Sequence, residues 1–444
     1  MRRPLARQHA VGRTAPAAAS SDRADLRQWQ GVAYGPPDAR GNPNVDVAGY
    51  AAAMKSSITV AVVCAVFFCA GPALAQVSVK PLLTQPAEQI AITQGFRDWI
   101  GITLAGPMVV SGAPNAKGGL YAIDAATRAV KWTFRPGVPA SPMVSTQASV
   151  VGNTVIARFG NWEGALLIGV SLVTGKELWR APADVPMDKL ALGDGLAFVL
   201  LKAQDTDRRG LRVLSAVDTQ TGKERWQATF KTETVTAPVF ADGTVYIGVA
   251  GVDGSIVALD AKAGQERWRY RLTHDFPTSL LAIDSGVYGG DNWLYGVSRE
   301  TGRELWRPTE LRRTVDDKPQ LFRIRGLLDA GDTLIAPIKG NRYSAIVGFD
   351  KGSGALVWER PVGERLSRVA LALAGKVLYF QEQLEPTVSG EPGGPYSLRA
   401  MDLSTREILW SYSRAGRENW AFGGLTPIDG GLWVTHYATL LKLK

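Results

Sequence analysis

The chain has 444 residues, a formal net charge of +9, 45% apolar residues, 48 glycines, 13 tryptophans and only two cysteines. Residues 1–75 hold eight Lys or Arg against four Asp, which leaves 42 basic and 37 acidic residues, or +5, on the remainder. Those charges are interspersed rather than gathered in a stripe, which excludes a nucleic-acid footprint, and so few cysteines exclude a disulfide-built scaffold.

In chain order, residues 1–53 are rich in Ala, Arg, Gly and Pro without a sustained apolar period, and read as disordered or as an upstream extension that is not part of the working protein. Met54 opens MKSSITVAVVCAVFFCAGPALAQ, in which Lys55 precedes an apolar run and Ala73 and Ala75 precede Gln76, the pattern of a secretory signal (54–75) cleaved after Ala75. The run from Ile58 to Ala70 is short for a membrane span, so no stable membrane insertion is expected. Cys64 and Cys69 lie inside it and follow Val63 and Phe68, against the small-residue pattern of a lipid-attachment site, so the product is not read as a lipoprotein. The exported part, residues 76–444, is expected to be one domain that relies on a large core.

Seven copies of a 13-residue pattern organise that domain, of which LSAVDTQTGKERW, ending at Trp226, is representative. The copies end at Trp132, Trp179, Trp226, Trp268, Trp306, Trp358 and Trp410, at intervals of 47, 47, 42, 38, 52 and 52 residues. Intervals of this size match a four-stranded propeller blade. Within each copy an apolar strand ends at an Asp, or at Ser171 or Ser298, whose side chain accepts backbone N–H groups of the coming turn. Gly175, Gly222, Gly264, Gly302 and Gly354 supply a positive φ to that turn, and a second strand then leads to the Trp. One Trp at one fixed place per repeat predicts a ring wedged between neighbouring blades, not a ligand-stacking site.

Eight short hairpins lie between the motifs, turning around Gly106, Gly152, Asp194, Asp242, Ser285, Gly331, Gly375 and Gly430. The eighth is followed only by YATLLKLK, so an eighth blade lacks its last strand, and Gln76–Thr84 is the expected donor that closes the ring. The expected fold is all-β, an eight-bladed propeller of four-stranded antiparallel blades, with seven blades as the alternative.

This repeat resembles that of the quinoprotein dehydrogenases and of their non-catalytic relatives of the BamB type, over about residues 80–444. Membership of the catalytic branch would imply pyrroloquinoline quinone (PQQ) held against an adjacent-cysteine disulfide, with a calcium ion and a carboxylate base. The mature chain has no cysteine, and no group of acids stands out for calcium. His274 and His436 are isolated in the mature sequence, and no Ser, His and Asp set is recognisable, so neither a catalytic nor a metal site is expected. The non-catalytic branch implies a monomeric periplasmic scaffold that binds an envelope protein such as an outer-membrane barrel-assembly subunit.

Three insertions fit such a role because propeller topology places them on one face: residues 202–210, 307–323 and 382–395. They and their flanks mix Arg208, Arg209, Arg312, Arg313, Arg323 and Arg325 with Asp205, Asp207, Asp316, Asp317, Glu382 and Glu385, a balance suited to a protein partner. Phe322-Arg323-Ile324-Arg325-Gly326 is similar to the Leu-x-Leu-Arg-Gly stretch through which BamB proteins contact their partner. The resemblance implies Phe322 and Ile324 as apolar contacts and Arg325 as a bidentate donor, with Arg312, Arg313 and Arg323 beside them. The family's acid pair in the next blade is not matched, since RLSRVALAL offers Arg368 and Val369 there. A small-molecule or saccharide site at the propeller channel is the remaining alternative.

Overall fold

The computed structural model describes residues 82–83, 88–91 and 102–443, the last apart from 114–118, 128, 138–147, 162–163, 184–189, 203–210, 233, 252–253, 275, 316, 341–342, 363–370, 384–395, 414–424, 429–430 and 437–438. The expected upstream extension and signal segment lie outside the described residues. The chain separates into Met1–Gln76 and Val77–Lys444, and the second unit carries every described element. Those elements are strands, arranged in successive antiparallel sheets as a β-propeller arranges them.

The sheet of Trp226 shows how the repeat becomes structure. Ala191–Gly193, Leu196–Lys202, Leu211–Asp218 and Glu224–Lys231 pair in chain order, each with the next. Asp218 ends the third strand: its Oδ1 accepts from the N–H groups of Gln220 (3.0 Å) and Thr221 (2.8 Å). Arg225, just before the Trp, closes on the same carboxylate at 2.7 Å, and its hydrogen bond, with those of the turn, lowers the Asp218 carboxyl to about 2. The residue opposite Trp226 in the ladder is Ala216, and at the same place beneath Trp179 and Trp358 stand Gly169 and Gly348. A Cβ on Gly348 would approach the Trp358 ring to 2.0 Å, so the small residue of the motif is dictated by the indole lying over it.

The same indoles join neighbouring sheets. Trp132 Nε1 donates to the carbonyl of Leu172 (2.7 Å), Trp179 to Thr219 (3.0 Å), Trp226 to Ala261 (2.8 Å), Trp268 to Arg299 (3.0 Å) and Trp306 to Lys351 (3.1 Å), each acceptor being in the motif turn of the following sheet. The turn glycine of that following copy lies under the ring, and a Cβ on Gly264 would come within 2.6 Å of Trp226. At Trp358 the glycine is replaced by Arg406, which keeps the left-handed backbone (φ 61°) and sets its guanidinium 5.6 Å from the ring centre.

Apolar clusters follow the same succession. Phe198, Leu214 and Val245 join the Trp226 and Trp268 sheets, Leu378, Phe380 and Ile346 join those of Trp358 and Trp410, and Trp433 of the last sheet packs on Val109 and Ile123 of the first. The last sheet comprises Leu425–Ile428, Gly431–His436 and Thr439–Leu443, and its fourth strand is Glu88–Ala91, paired antiparallel to Thr439–Lys442. This corrects the expectation that Gln76–Thr84 supplies that strand. Leu82–Leu83, from within that stretch, instead adds in parallel to the outer edge of the Trp410 sheet. The apolar character of VKPLLT suits either edge, and it is Glu88–Ala91 that pairs with the edge strand of the last sheet.

Candidate functional site

The expected contact segment begins where the Trp306 sheet ends. Its fourth strand is reduced to Thr309–Glu310, after which Arg312–Val315 and Lys318–Leu321 form a two-stranded arm. The chain then enters the Trp358 sheet through a first strand broken into Arg323–Ile324 and Leu328–Ala330, both paired to Thr333–Lys339. Gly326, at φ 155°, allows the break.

The root of the arm is pinned. Leu311 N–H donates to Asn292 O (2.8 Å), Phe322 N–H to Leu311 O (2.9 Å), and Ile324 N–H to Asp291 O (2.9 Å), while Asn292 Nδ2 donates to Phe322 O (3.2 Å) and Thr278 Oγ1 to Ile324 O (3.0 Å). The arm is held from its other face by Arg313, whose Nε is 3.4 Å from Glu359 Oε2, and the Tyr343 hydroxyl donates to the other oxygen of Glu359. Burial and that carboxylate push the Tyr343 hydroxyl well above the ordinary tyrosine range, so it is a permanent donor.

Phe322 and Ile324 are not surface contacts. Both are completely buried in the cluster shared by the Trp306 and Trp358 sheets, and Phe322 meets Tyr343 edge-on at 5.6 Å. The correction has a simple cause: side chains along a strand alternate, so Phe322 and Ile324 turn inward and Leu321, Arg323 and Arg325 turn out. Leu321 is 46% exposed, and Arg323 and Arg325 are exposed. The alternation of apolar residues with arginine in FRIR carried this signal, and Leu321 was missed because it stands outside the resembling stretch.

Arg312 lies opposite Leu321 on the outward face of the arm, 2.8 Å from Glu310, with exposed Thr314 and Pro319 beyond. Arg323 is 3.8 Å from Asp291. The arrangement therefore presents arginine donors around one apolar side chain on a braced support, which can bind a surface of opposite charge. Of the other expected rim charges, Glu382 is buried, Asp317 is exposed in the turn of the arm, and Arg208, Arg209, Asp205, Asp207, Asp316 and Glu385 lie outside the described residues.

The quinone and calcium of the catalytic branch can be tested against the side chains present. Among the described residues no three His, Cys, Asp or Glu side chains converge as a metal would require, and both cysteines lie outside them. The described residues thus offer no donor set that fits the calcium ion.

Sheets of this repeat, five of them stitched to the next by a motif indole, define a propeller of the PQQ-like repeat class. The sequence matches the family profile described as outer membrane protein assembly factor BamB over residues 78–193, 190–292 and 290–437, and the chain belongs to that family. It is 25% identical over 250 residues to the outer membrane protein assembly factor BamB of Burkholderia pseudomallei, covering 53% of this chain and 58% of the relative. It is also 24% identical over 210 residues to the quinohemoprotein alcohol dehydrogenase ADH-IIG of Pseudomonas putida, covering 42% of this chain and 27% of that one. The chain thus spans less than two thirds of the length of these curated relatives. Among solved structures, BamB from Moraxella catarrhalis superposes with a TM-score of 0.55 at 17% identity, over 81% of this chain and 96% of that one, a likeness of fold.

Proposed function

We propose that the protein is an exported, non-enzymatic, eight-bladed propeller that works as a monomeric scaffold in the periplasm and docks an outer-membrane barrel-assembly subunit. The eight blades are the seven sheets with a Trp motif and the last sheet, closed by Glu88–Ala91. In this reading the seven indoles are docking rings between blades, and the partner surface is Arg312, Arg323 and Arg325 around Leu321, with Arg313 bracing the arm. The observation that carries it is the outward run Leu321, Arg323, Arg325 beside a pinned arm in a chain of the BamB family. A backbone support pinned by hydrogen bonds leaves chiefly side-chain freedom to be lost on binding, and the planar fork of arginine suits bidentate contacts to carboxylates of a partner.

Crosslinked capture from native envelopes tests the proposal. The wild-type chain is expected to recover a barrel-assembly subunit, and Arg325→Ala or Arg323→Ala to lose most of it with an unchanged melting temperature. Equal recovery by both variants removes the patch from the contact, and no recovery of such a subunit by folded wild type overturns the scaffold role.

A further inference from the structure

A second site lies apart from the arginine patch, in the interface between the Trp358 and Trp410 sheets. The position two residues after each Trp faces the second residue of the following motif, and elsewhere that contact is uncharged. Phe134 is set against Ile168, Ala228 against Val257, and Tyr270 against Tyr295, whose rings meet at 6.3 Å. In the five other interfaces between consecutive motifs neither position carries a charge; in this one they are Arg360 and Arg399. A third charge, Glu382, occupies a second-strand position that is Phe159, Val249 and Ile338 in other sheets.

The three charges do not balance. Glu382 is 7% exposed and pairs with Arg399 Nη2, while Arg360 has only a contact from Nη1 to the carbonyl of Arg406 at 3.2 Å. Arg360 Nε and Arg399 Nε are both buried with no acceptor, and so is the hydroxyl of Ser344. Ser344 lies on the same face of its sheet: it stands opposite Val362, two rows along the ladder from the pair Ile346 and Arg360, on the face whose Ile346 packs against Phe380. Burial and the neighbouring Arg399 pull the Arg360 guanidinium below its ordinary value, and burial pushes the Glu382 carboxyl up although both arginines oppose this. The lowered guanidinium has the sign expected of a partly buried cation beside a second cation, and the raised carboxyl that of a buried acid.

Two half-buried guanidiniums facing each other across an otherwise apolar interface repel, and one carboxylate compensates one of them. Buried donors without acceptors are rare because each costs free energy until something accepts from it. We propose that this crevice is a binding site for a small oxyanion, a carboxylate or phosphate group, received by Arg360, Arg399 and Ser344, with Glu382 limiting the affinity by occupying one arginine. The anion would fasten the two sheets together at an interface whose Trp358 ring rests on Arg406 instead of on a turn glycine.

The test is thermal unfolding of the mature protein in sulfonate buffer at constant ionic strength, titrated with sodium phosphate in one series and sodium acetate in another. A saturable rise of Tm at millimolar anion is expected, following the mass-action form of ligand stabilisation. A response to phosphate alone assigns a phosphate ligand, and a response to acetate assigns a carboxylate. Arg360→Met keeps the length of the side chain and removes its charge, and is expected to weaken binding at least about tenfold, the size of a lost charge-assisted hydrogen bond. Glu382→Gln frees the second arginine and is expected to tighten binding. Glu382→Gln also decides the matter if Arg360→Met fails to fold. A wild-type Tm indifferent to both anions, an undiminished response in Arg360→Met, or weaker binding in Glu382→Gln would each overturn the proposal.

Discussion

Truncation of Trp226 to Ala, combined with addition of a methyl group at Gly264, tests the joint between sheets most directly. The Trp226 indole fills the space between Ala216 and the Gly264 turn, packs 5.9 Å from the Phe198 ring, and donates to Ala261 O at 2.8 Å. Removing a Trp from such a place leaves a cavity and costs about 3–5 kcal/mol, with the lower end expected here because the ring is half-buried. Gly264→Ala alone sets a Cβ 2.6 Å from the ring and a side chain at φ 71°, so it carries a clash as well as a left-handed penalty of about 1–2 kcal/mol. In the Trp226→Ala background the clash disappears and only the backbone penalty remains. The double variant should therefore be more stable than the sum of the single effects predicts, by about 1 kcal/mol or more. Urea unfolding followed by circular dichroism measures all four corners of the cycle. A Trp226→Ala variant within about 1 kcal/mol of wild type, or strictly additive effects, would refute the claim that this ring joins two sheets.

Other outcomes follow from the same geometry. At position 406, where φ is 61° and the guanidinium covers Trp358, Arg406→Ala should melt lowest, since it retains the backbone strain and loses a ring contact of about 0.5–1 kcal/mol; Arg406→Gly relieves the strain and should melt above Ala. The Asp218 carboxyl is lowered from 3.8 to about 2, so its contribution to stability is complete above pH 4 and is lost as pH falls from 4 toward 2; Asp218→Asn should flatten the stability–pH curve in that window. A chain begun at residue 85 retains Glu88–Ala91 and should fold, whereas one begun at residue 93 leaves Thr439–Leu443 with an unpaired edge and should melt lower and aggregate, as light scattering would report.

Much of this protein was legible in one dimension, because a repeated motif exposes its local physics seven times over. The Asp that accepts two turn N–H groups, the glycine under the indole and the Trp itself are local requirements of one hairpin, so they recur at fixed spacing and predict propeller sheets. Three matters were decided only in three dimensions. Which N-terminal stretch pairs with Thr439–Leu443 is a matter of which edge each short strand meets in the folded chain, and Glu88–Ala91 meets this one while Leu82–Leu83 serves a different sheet. The inward turn of Phe322 and Ile324 was present as alternation in FRIR, yet it took the packed Trp306 and Trp358 sheets to show that both faces of that strand are not equally available. Arg360 and Arg399 break the repeat's uncharged pattern in sequence, but that Glu382, expected on the rim, is buried beside them and that both Nε atoms lack acceptors follow from the packing of consecutive sheets, because charge balance is a property of neighbours in space.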